Sequence, residues 1–123
     1  MKVSKYMTRP VIKVDASTNA LTAAKIMAER NVDSLIITTE NQDIGIITFD
    51  DIVAIKQRRL EQTYVKDHLI NKFATIEGTT ECEEALRKMI DRGVRRLLVT
   101  EKEVIIGIFT LSNIICYRPL LTE

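Results

Sequence analysis

The sequence predicts an α/β (α+β) fold of two β-α-β-β-α repeats that pack by pseudo-two-fold symmetry. A length of 123 residues suffices for one domain, or for two very small repeats that share a core. The chain also matches itself without a gap when it is shifted by 62 residues, so that Ile44–Ile46 falls on Ile106–Ile108. We therefore place repeat 1, with a linker helix, at residues 1–62 and repeat 2 at residues 63–123.

Each repeat begins with a short apolar run that predicts a strand, Val11–Val14 in repeat 1 and Phe73–Ile76 in repeat 2. Hydroxyl side chains follow each run, and we expect them to cap the next helix. The candidate caps are Ser17, Thr18, Thr79 and Thr80. Thr80 and Glu83 have the spacing of a capping box, which strengthens the prediction for repeat 2.

Apolar residues then recur at helical spacing in both repeats, which predicts one amphipathic helix in each. They are Ala20, Ala23, Ala24, Met27 and Ala28 in repeat 1 and Ala85, Leu86, Met89 and Ile90 in repeat 2. Gly93 lies where a glycine commonly ends a helix.

Two further strands and a closing helix complete each repeat. The buried strands Leu35–Thr38 and Leu97–Thr100 are each followed by a polar turn and a third apolar run, which predicts a hairpin. The third strands are Ile44–Ile47 and Val104–Phe109. The closing helices are expected at Phe49 to about Gln62 and at Leu111 to about Tyr117.

Composition restricts the class of function. The net charge is only +1, with 18 Lys and Arg against 17 Asp and Glu, so no general basic field would hold a nucleic acid. The longest apolar stretch is far below the ~18 residues that cross a bilayer, and we expect a cytoplasmic protein with no membrane partner. One histidine and two cysteines without metal-ligand spacing predict no zinc site and no hydrolytic triad.

Three motifs connect the sequence to a known family: Tyr6–Val11, Gly45–Asp51 and Arg95–Val99. Through them the chain resembles a tandem pair of cystathionine β-synthase (CBS) domains, called a Bateman module, over roughly residues 3–117. The resemblance implies a stand-alone regulatory module, not an enzyme, that binds AMP, ADP, ATP or S-adenosylmethionine in a cleft between the repeats. It also implies a homodimer and an unknown regulated protein, with no cofactor apart from the regulatory ligand.

The chemistry of the motif residues fits an adenine nucleotide. Thr48 lies where a strand passes into a helix, and the free N–H groups of a helix start favour phosphate. Asp51 would repel phosphate, so we assign it to a ribose diol. Arg95 and Arg96 match the family's phosphate-contacting position, and a guanidinium donates two hydrogen bonds at once.

The two repeats are not equivalent at these positions. In the family's arrangement, Thr48 and Asp51 are completed by Arg95 and Arg96 of the other repeat. The mirror site has Thr110 and Asn113, completed by Asp33 and Ser34. Because Asn113 offers one carbonyl acceptor and Asp33 adds negative charge near a phosphate, we expect one competent site per chain. Lys13 and Thr75 match the family's position near the adenine.

A structural interpretation competes with each of these assignments. The T-x-x-D pattern is also that of a capped helix start, and Thr110 with Asn113 fits it equally well. Arg95 and Arg96 are also consistent with a solvated strand end, as Lys13 and Thr75 are with side chains that face solvent.

Two other functional classes remain open from the sequence alone. One is a scaffold that dimerises without a ligand. The other is a nucleic-acid-binding accessory protein that uses Lys56, Arg58 and Arg59 together with the arginines of repeat 2. The near-neutral charge and the low aromatic content make nucleic acid the weaker interpretation.

Overall fold

The structure is a computed structural model that describes residues 1–69 and 73–115, and the side chains up to residue 113. The described residues form six strands, β1 to β6, and five α-helices, α1 to α5. The strands are Lys13–Asp15, Ser34–Thr39, Gln42–Thr48, Thr75–Glu77, Arg96–Glu101 and Val104–Thr110. The helices are Val3–Tyr6, Ala20–Arg30, Phe49–Val53, Cys82–Arg92 and Leu111–Ile115, and 3₁₀ turns cover Gln57–Gln62 and Val65–Asp67.

The contacts divide the chain into two compact units. The first unit lies within Ile12–Lys72, and the second combines Met1–Val11 with Phe73–Glu123. Each unit has one three-stranded sheet, so the predicted mixed α/β architecture with two repeated sheets is confirmed. The division by contact differs from the division by repeat, because the first eleven residues belong with repeat 2.

The sheet of the first unit has the order β1-β2-β3, with β1 parallel and β3 antiparallel to β2. The central strand is buried over Ser34–Ile37 because it is covered on both faces, which suits its continuous apolar sequence. Apolar residues of α2 and of the strands form the core with Val65, which is fully buried. The core residues are Val14, Ala16, Ala23, Met27, Leu35, Ile37, Ile47, Ile52 and Val65.

The sheet of the second unit repeats this pattern with the order β4-β5-β6. Its core contains Phe109, which is fully buried, and the apolar face of α4. Val3 and Met7 of the opening segment pack in the same core. The backbone confirms this attachment, since Val3 N–H donates to the Thr80 carbonyl at 2.9 Å and Cys82 N–H donates to the Met1 carbonyl at 2.9 Å.

The first strands and the helix caps differ from the prediction. The first strands are short and lie later in the chain, at Lys13–Asp15 and Thr75–Glu77. The cap of α2 is Asn19, not Ser17 or Thr18, because the Asn19 side chain accepts from the N–H of Thr22 at 2.8 Å.

The cap of α4 is Glu81, not Thr79 or Thr80, and its side chain makes no capping hydrogen bond. Instead, the Glu81 carboxylate accepts from the amino group of Met1 at 2.5 Å. The helix ends as predicted at Gly93, whose φ of 63° is left-handed. Asn31 ends α2 in the same conformation, with a φ of 54°.

The predicted closing helix Phe49–Gln62 is two elements rather than one. Helix α3 ends at Val53, and Lys56 has extended backbone with φ −60° and ψ 132° before the 3₁₀ turn Gln57–Gln62. After this break, Leu60 packs against the core of the first unit. The other closing helix is α5, and its predicted end at Tyr117 lies outside the described residues. Within the described residues, no helix has the length and apolar character of a membrane span.

Candidate functional site

Thr48 and Asp51 form a hydrogen-bonded corner where β3 passes into α3. The Thr48 backbone N–H and hydroxyl both donate to Asp51 Oδ2 at 2.8 Å, and the Asp51 N–H donates to the Thr48 hydroxyl oxygen at 3.3 Å. This is a capping box, so the structural interpretation of the motif is confirmed. Both residues are half-buried. Asp51 Oδ1 has no hydrogen bond to any described residue, so one oxygen of the carboxylate stays available as an acceptor.

Thr110 and Asn113 form the corresponding corner between β6 and α5. The Thr110 N–H and hydroxyl donate to Asn113 Oδ1 at 2.8 and 3.0 Å. The remaining polar atom, Asn113 Nδ2, donates toward the Thr8 hydroxyl at 3.5 Å. The single carbonyl oxygen of the Asn113 side chain is therefore engaged within the corner, and what it leaves for a ligand is a donor rather than an acceptor.

The start of the central strand lies beside each corner within the same unit. Ser34 pairs with Thr48, and Arg96 pairs with Thr110. In the second unit, the Leu111 N–H also donates to the Arg95 carbonyl at 3.2 Å. Consequently the two arginines adjoin the Thr110 corner, in which no carboxylate of the described residues takes part.

The Thr48 corner has an acidic neighbour, whereas the Thr110 corner has two arginines. The Phe49 N–H donates to the Asp33 carbonyl at 2.8 Å, so Asp33 adjoins the corner that contains Asp51. Among the residues that the structure describes, neither Arg95 nor Arg96 has an ion pair. The predicted convergence of Thr48 and Asp51 with Arg95 and Arg96 joins residues of two units, and it stays a prediction.

Lys13 and Thr75 occupy matching positions near the start of β1 and β4 but have different contacts. Lys13 Nζ donates to Asp43 Oδ2 at 3.1 Å and forms an ion pair with it. Thr75 accepts from Lys88 Nζ at 2.5 Å through its backbone carbonyl. The side chain of Lys13 is thus held on the sheet of its own unit by a partner that the sequence analysis did not identify.

Comparing the repeats could have revealed the Lys13–Asp43 pair. Under the 62-residue shift, Thr75 occupies the position of Lys13 and Ile105 occupies that of Asp43. Both members of the charged pair are therefore replaced together by uncharged residues in repeat 2.

The described part of the chain contains no group of three or more potential metal ligands.

Comparison with known proteins gives one consistent family. The family model of the CBS domain matches the chain twice, at residues 3–57 and 65–119. An uncharacterized protein of Methanopyrus kandleri is 31% identical over 126 residues, which cover 98% of this chain and 64% of the relative. The chain therefore spans less than two thirds of that relative's length.

Solved structures match along nearly the whole chain. An uncharacterized conserved protein from Pyrococcus horikoshii has a TM-score of 0.82 at 27% identity, covering 95% of this chain and 91% of that one. The CBS domain pair of protein MJ0100, crystallised with 5′-methylthioadenosine and S-adenosyl-L-methionine, has a TM-score of 0.80 at 22% identity, covering 97% and 96%. Similarity at this lower identity shows a common fold.

Proposed function

The chain belongs to the CBS domain family, and we propose that it is a regulatory module without catalytic activity that binds an adenosine-containing ligand. AMP, ADP, ATP and S-adenosylmethionine are the candidate ligands. The MJ0100 domain pair, which has the same fold, was crystallised with two adenosine derivatives, and this favours the ligand class.

The main support is the opposite chemistry of the two corners. In the first unit, Asp51 keeps one carboxylate oxygen that can accept a hydrogen bond from a ribose hydroxyl. In the second unit, Arg95 and Arg96 adjoin a corner that contains an amide in place of the acid. Phosphate would be repelled by Asp51 and attracted by the arginines, so one nucleotide with its ribose at the first corner and its phosphate at the arginines satisfies both.

The opposite orientation of the nucleotide, with its ribose at the Thr110 corner and its phosphate near Asp33, is unfavourable for two reasons. Asn113 Oδ1 already accepts two hydrogen bonds from Thr110, so it is a poorer acceptor for a diol than a carboxylate with a free oxygen. Asp33 would also lie near the phosphate and repel it. We therefore propose one competent nucleotide site per chain.

Regulation follows if the ligand binds two repeats at once. A ligand that contacts both repeats binds most tightly to the arrangement in which it makes both sets of contacts. It stabilises that arrangement by an amount set by the difference between its affinities for the two arrangements. A separate protein, not identifiable from this chain, would recognise the stabilised arrangement. We propose that the module acts as a homodimer in the cytoplasm.

A second candidate function is a scaffold that associates without a ligand. The favouring observation is that large apolar side chains are exposed on the two closing helices. Phe49 and Val53 of α3 are 49% and 64% exposed, and Leu111 of α5 is 44% exposed. This function predicts association at rising protein concentration but no stabilisation by nucleotides.

A thermal unfolding screen separates the two functions. Purified protein is melted with AMP, ADP, ATP, GTP or S-adenosylmethionine, and a ligand at about a hundred times its Kd adds about 2.7 kcal/mol to the stability of the folded state. We expect at least one adenosine ligand to raise the melting temperature. If none of them does, the scaffold function is favoured.

Asp51→Ala and Asn113→Ala are the matched variants for this screen. Each removes the side chain that accepts the two Thr hydrogen bonds of its corner, so each lowers the melting temperature without ligand. Only Asp51→Ala is expected to abolish the increment caused by ligand. The reverse ranking would move the site to the Thr110 corner, and calorimetry that finds two equal sites per chain would contradict the single-site proposal.

A further inference from the structure

A cavity of about 250 Å³ lies in the second unit, at the C-terminal ends of β4 and β5. It is lined by charged, hydroxyl and apolar side chains, among them Arg9, Glu77, Glu101, Thr100, Met7 and Ile106. Strand β5 runs from Arg96 to Glu101, and at ~3.3 Å per residue its two ends are roughly 17 Å apart. The cavity is therefore distinct from the Thr110 corner, which adjoins Arg96 at the other end of the strand.

The charged side chains of the cavity carry both signs but are not paired with one another. Within residues 1–69 and 73–115, none of Arg9, Glu77 and Glu101 forms an ion pair. Arg9 Nη2 makes one long hydrogen bond, 3.4 Å, to the Ser4 carbonyl. Glu77 Oε1 accepts from the Thr100 hydroxyl at 3.2 Å. One cation and two carboxylates, all three exposed, thus border the same small space, and described protein groups fill few of their hydrogen-bonding positions.

A β-bulge supplies part of the apolar wall. Val99 pairs with Gly107 and Thr100 pairs with Ile105, so Ile106 is the extra residue of β6. Met7, which is only 7% exposed, adds a flexible thioether that adapts to the shape of its neighbour. Apolar surface therefore accompanies the three charges in one cavity.

Repeat 1 does not reproduce this arrangement of charges. Asp15, at the position of Glu77, accepts from the N–H and hydroxyl of Ser17 at 2.9 and 2.5 Å. Thr39 replaces Glu101. Ala16 replaces Gly78, at which an added Cβ would lie 3.1 Å from the Ser4 Cβ. The unpaired charges are therefore a feature of the second unit and not a necessary product of the repeated fold.

We infer that this cavity binds a small apolar α-amino acid. The ammonium group of the ligand lies between Glu77 and Glu101, its carboxylate accepts from the planar fork of Arg9, and its side chain packs on Met7 and Ile106. The volume is below the roughly 300–1,000 Å³ typical of drug-sized ligands, which favours an amino acid over a nucleotide. A zwitterion is the ligand class that offers an opposite charge both to the carboxylates and to the guanidinium.

Isothermal titration calorimetry of the full chain tests this proposal with leucine, isoleucine, valine and methionine. Isoamylamine and 4-methylpentanoate serve as controls, because each keeps the carbon skeleton next to one charge of leucine and lacks the other charge. We expect at least one amino acid to bind, and leucine to bind more than tenfold more tightly than either control. Absence of binding by all four amino acids, or equal binding by isoamylamine, would overturn the proposal.

Arg9→Gln and Glu101→Gln are the test variants, and Glu103→Gln is the matched control because Glu103 is exposed in the turn and does not line the cavity. The first two are expected to weaken amino-acid binding at least tenfold, whereas Glu103→Gln leaves it unchanged. Far-UV circular dichroism melting shows that each variant is folded. Asp51→Ala is expected to leave amino-acid binding intact, so failure here is distinguishable from failure of the nucleotide proposal. Equal affinity in all variants would contradict the assigned contacts.

Discussion

Asp51 accepts two hydrogen bonds from Thr48 on the same carboxylate oxygen, one from the backbone N–H and one from the hydroxyl, each at 2.8 Å. Asn113 does the same for Thr110 with its carbonyl oxygen. The motif therefore stabilises a helix start in both units whether or not a ligand binds. What distinguishes the repeats is the second polar atom of each side chain, an acceptor in Asp51 and a donor in Asn113.

We predict that Thr48→Ala lowers the free energy of unfolding by about 1 kcal/mol, because it removes a helix cap. Thr110→Ala is expected to lower it by about 1 kcal/mol as well, because it removes the hydroxyl that donates to Asn113 Oδ1. Equilibrium denaturation in urea measures the change. Thr22→Ala is the control, since Thr22 is exposed on α2 and alanine has the higher helix propensity. A loss no larger for Thr48→Ala than for Thr22→Ala would show that the cap contributes nothing.

Gly107→Ala is predicted to destabilise the second unit by about 1–3 kcal/mol, the usual cost of overpacking. An added Cβ would lie 2.8 Å from Met7 Cγ and 3.1 Å from the Thr8 carbonyl oxygen, and that backbone atom cannot rotate away. Gly93→Ala is the comparison, because its Cβ would meet no atom of the described residues within 4 Å and its cost of about 1 kcal/mol comes from the left-handed backbone alone. Thermal unfolding that shows Gly107→Ala to be the milder change would contradict the packing.

Ser17→Ala is predicted to raise the pKa of Asp15 toward its ordinary value. The hydroxyl and N–H of Ser17 donate to Asp15 Oδ2, and these bonds hold the pKa of that carboxyl below its usual range. Because the folded pKa is lower than the unfolded one, ionised Asp15 stabilises the fold above the unfolded pKa, and this contribution is lost as the pH falls through the folded pKa. Ser17→Ala therefore reduces the difference in stability between neutral and acidic pH.

NMR titration of the side-chain carboxyl carbon measures the pKa of Asp15 directly. Thr79→Ala is the control, because Thr79 is the counterpart of Ser17 in repeat 2 and is expected to leave the titration of Asp15 unchanged. An identical titration curve for Ser17→Ala and for the unchanged protein would show that the hydroxyl bond does not act on this carboxyl.

The order of elements could be predicted from the sequence because the same pattern occurs in both repeats. The central strands, Leu35–Thr38 and Leu97–Thr100, are continuous apolar runs in both copies. The sequence did not predict the N-terminal caps of α2 and α4, which are Asn19 and Glu81. Ser17 has the right chemistry for a cap, yet its hydroxyl bonds to Asp15 two residues earlier. Competition between neighbouring carboxylates and N–H groups for one hydroxyl is decided by local geometry, which residue types alone do not determine.

The same limit applies to the site. The Thr48–Asp51 contact spans three residues and follows from helix geometry, so the motif alone predicts it. The Lys13–Asp43 ion pair joins residues thirty positions apart on two strands of one sheet, and it depends on a register that includes a β-bulge. Comparison of the repeats indicates that the two residues are related, but only the pairing of the strands places them in contact.

The leading segment of each repeat packs in the unit formed by the rest of the other repeat. Thr63 and Val65 bond to Ala20 and Thr18 in the first unit, as Met1 and Val3 bond to Cys82 and Thr80 in the second. A break at the repeat boundary would give two fragments, each carrying the arm that the other fragment needs. Two such fragments would therefore complete their folds only together, because each supplies the leading segment that the other one lacks.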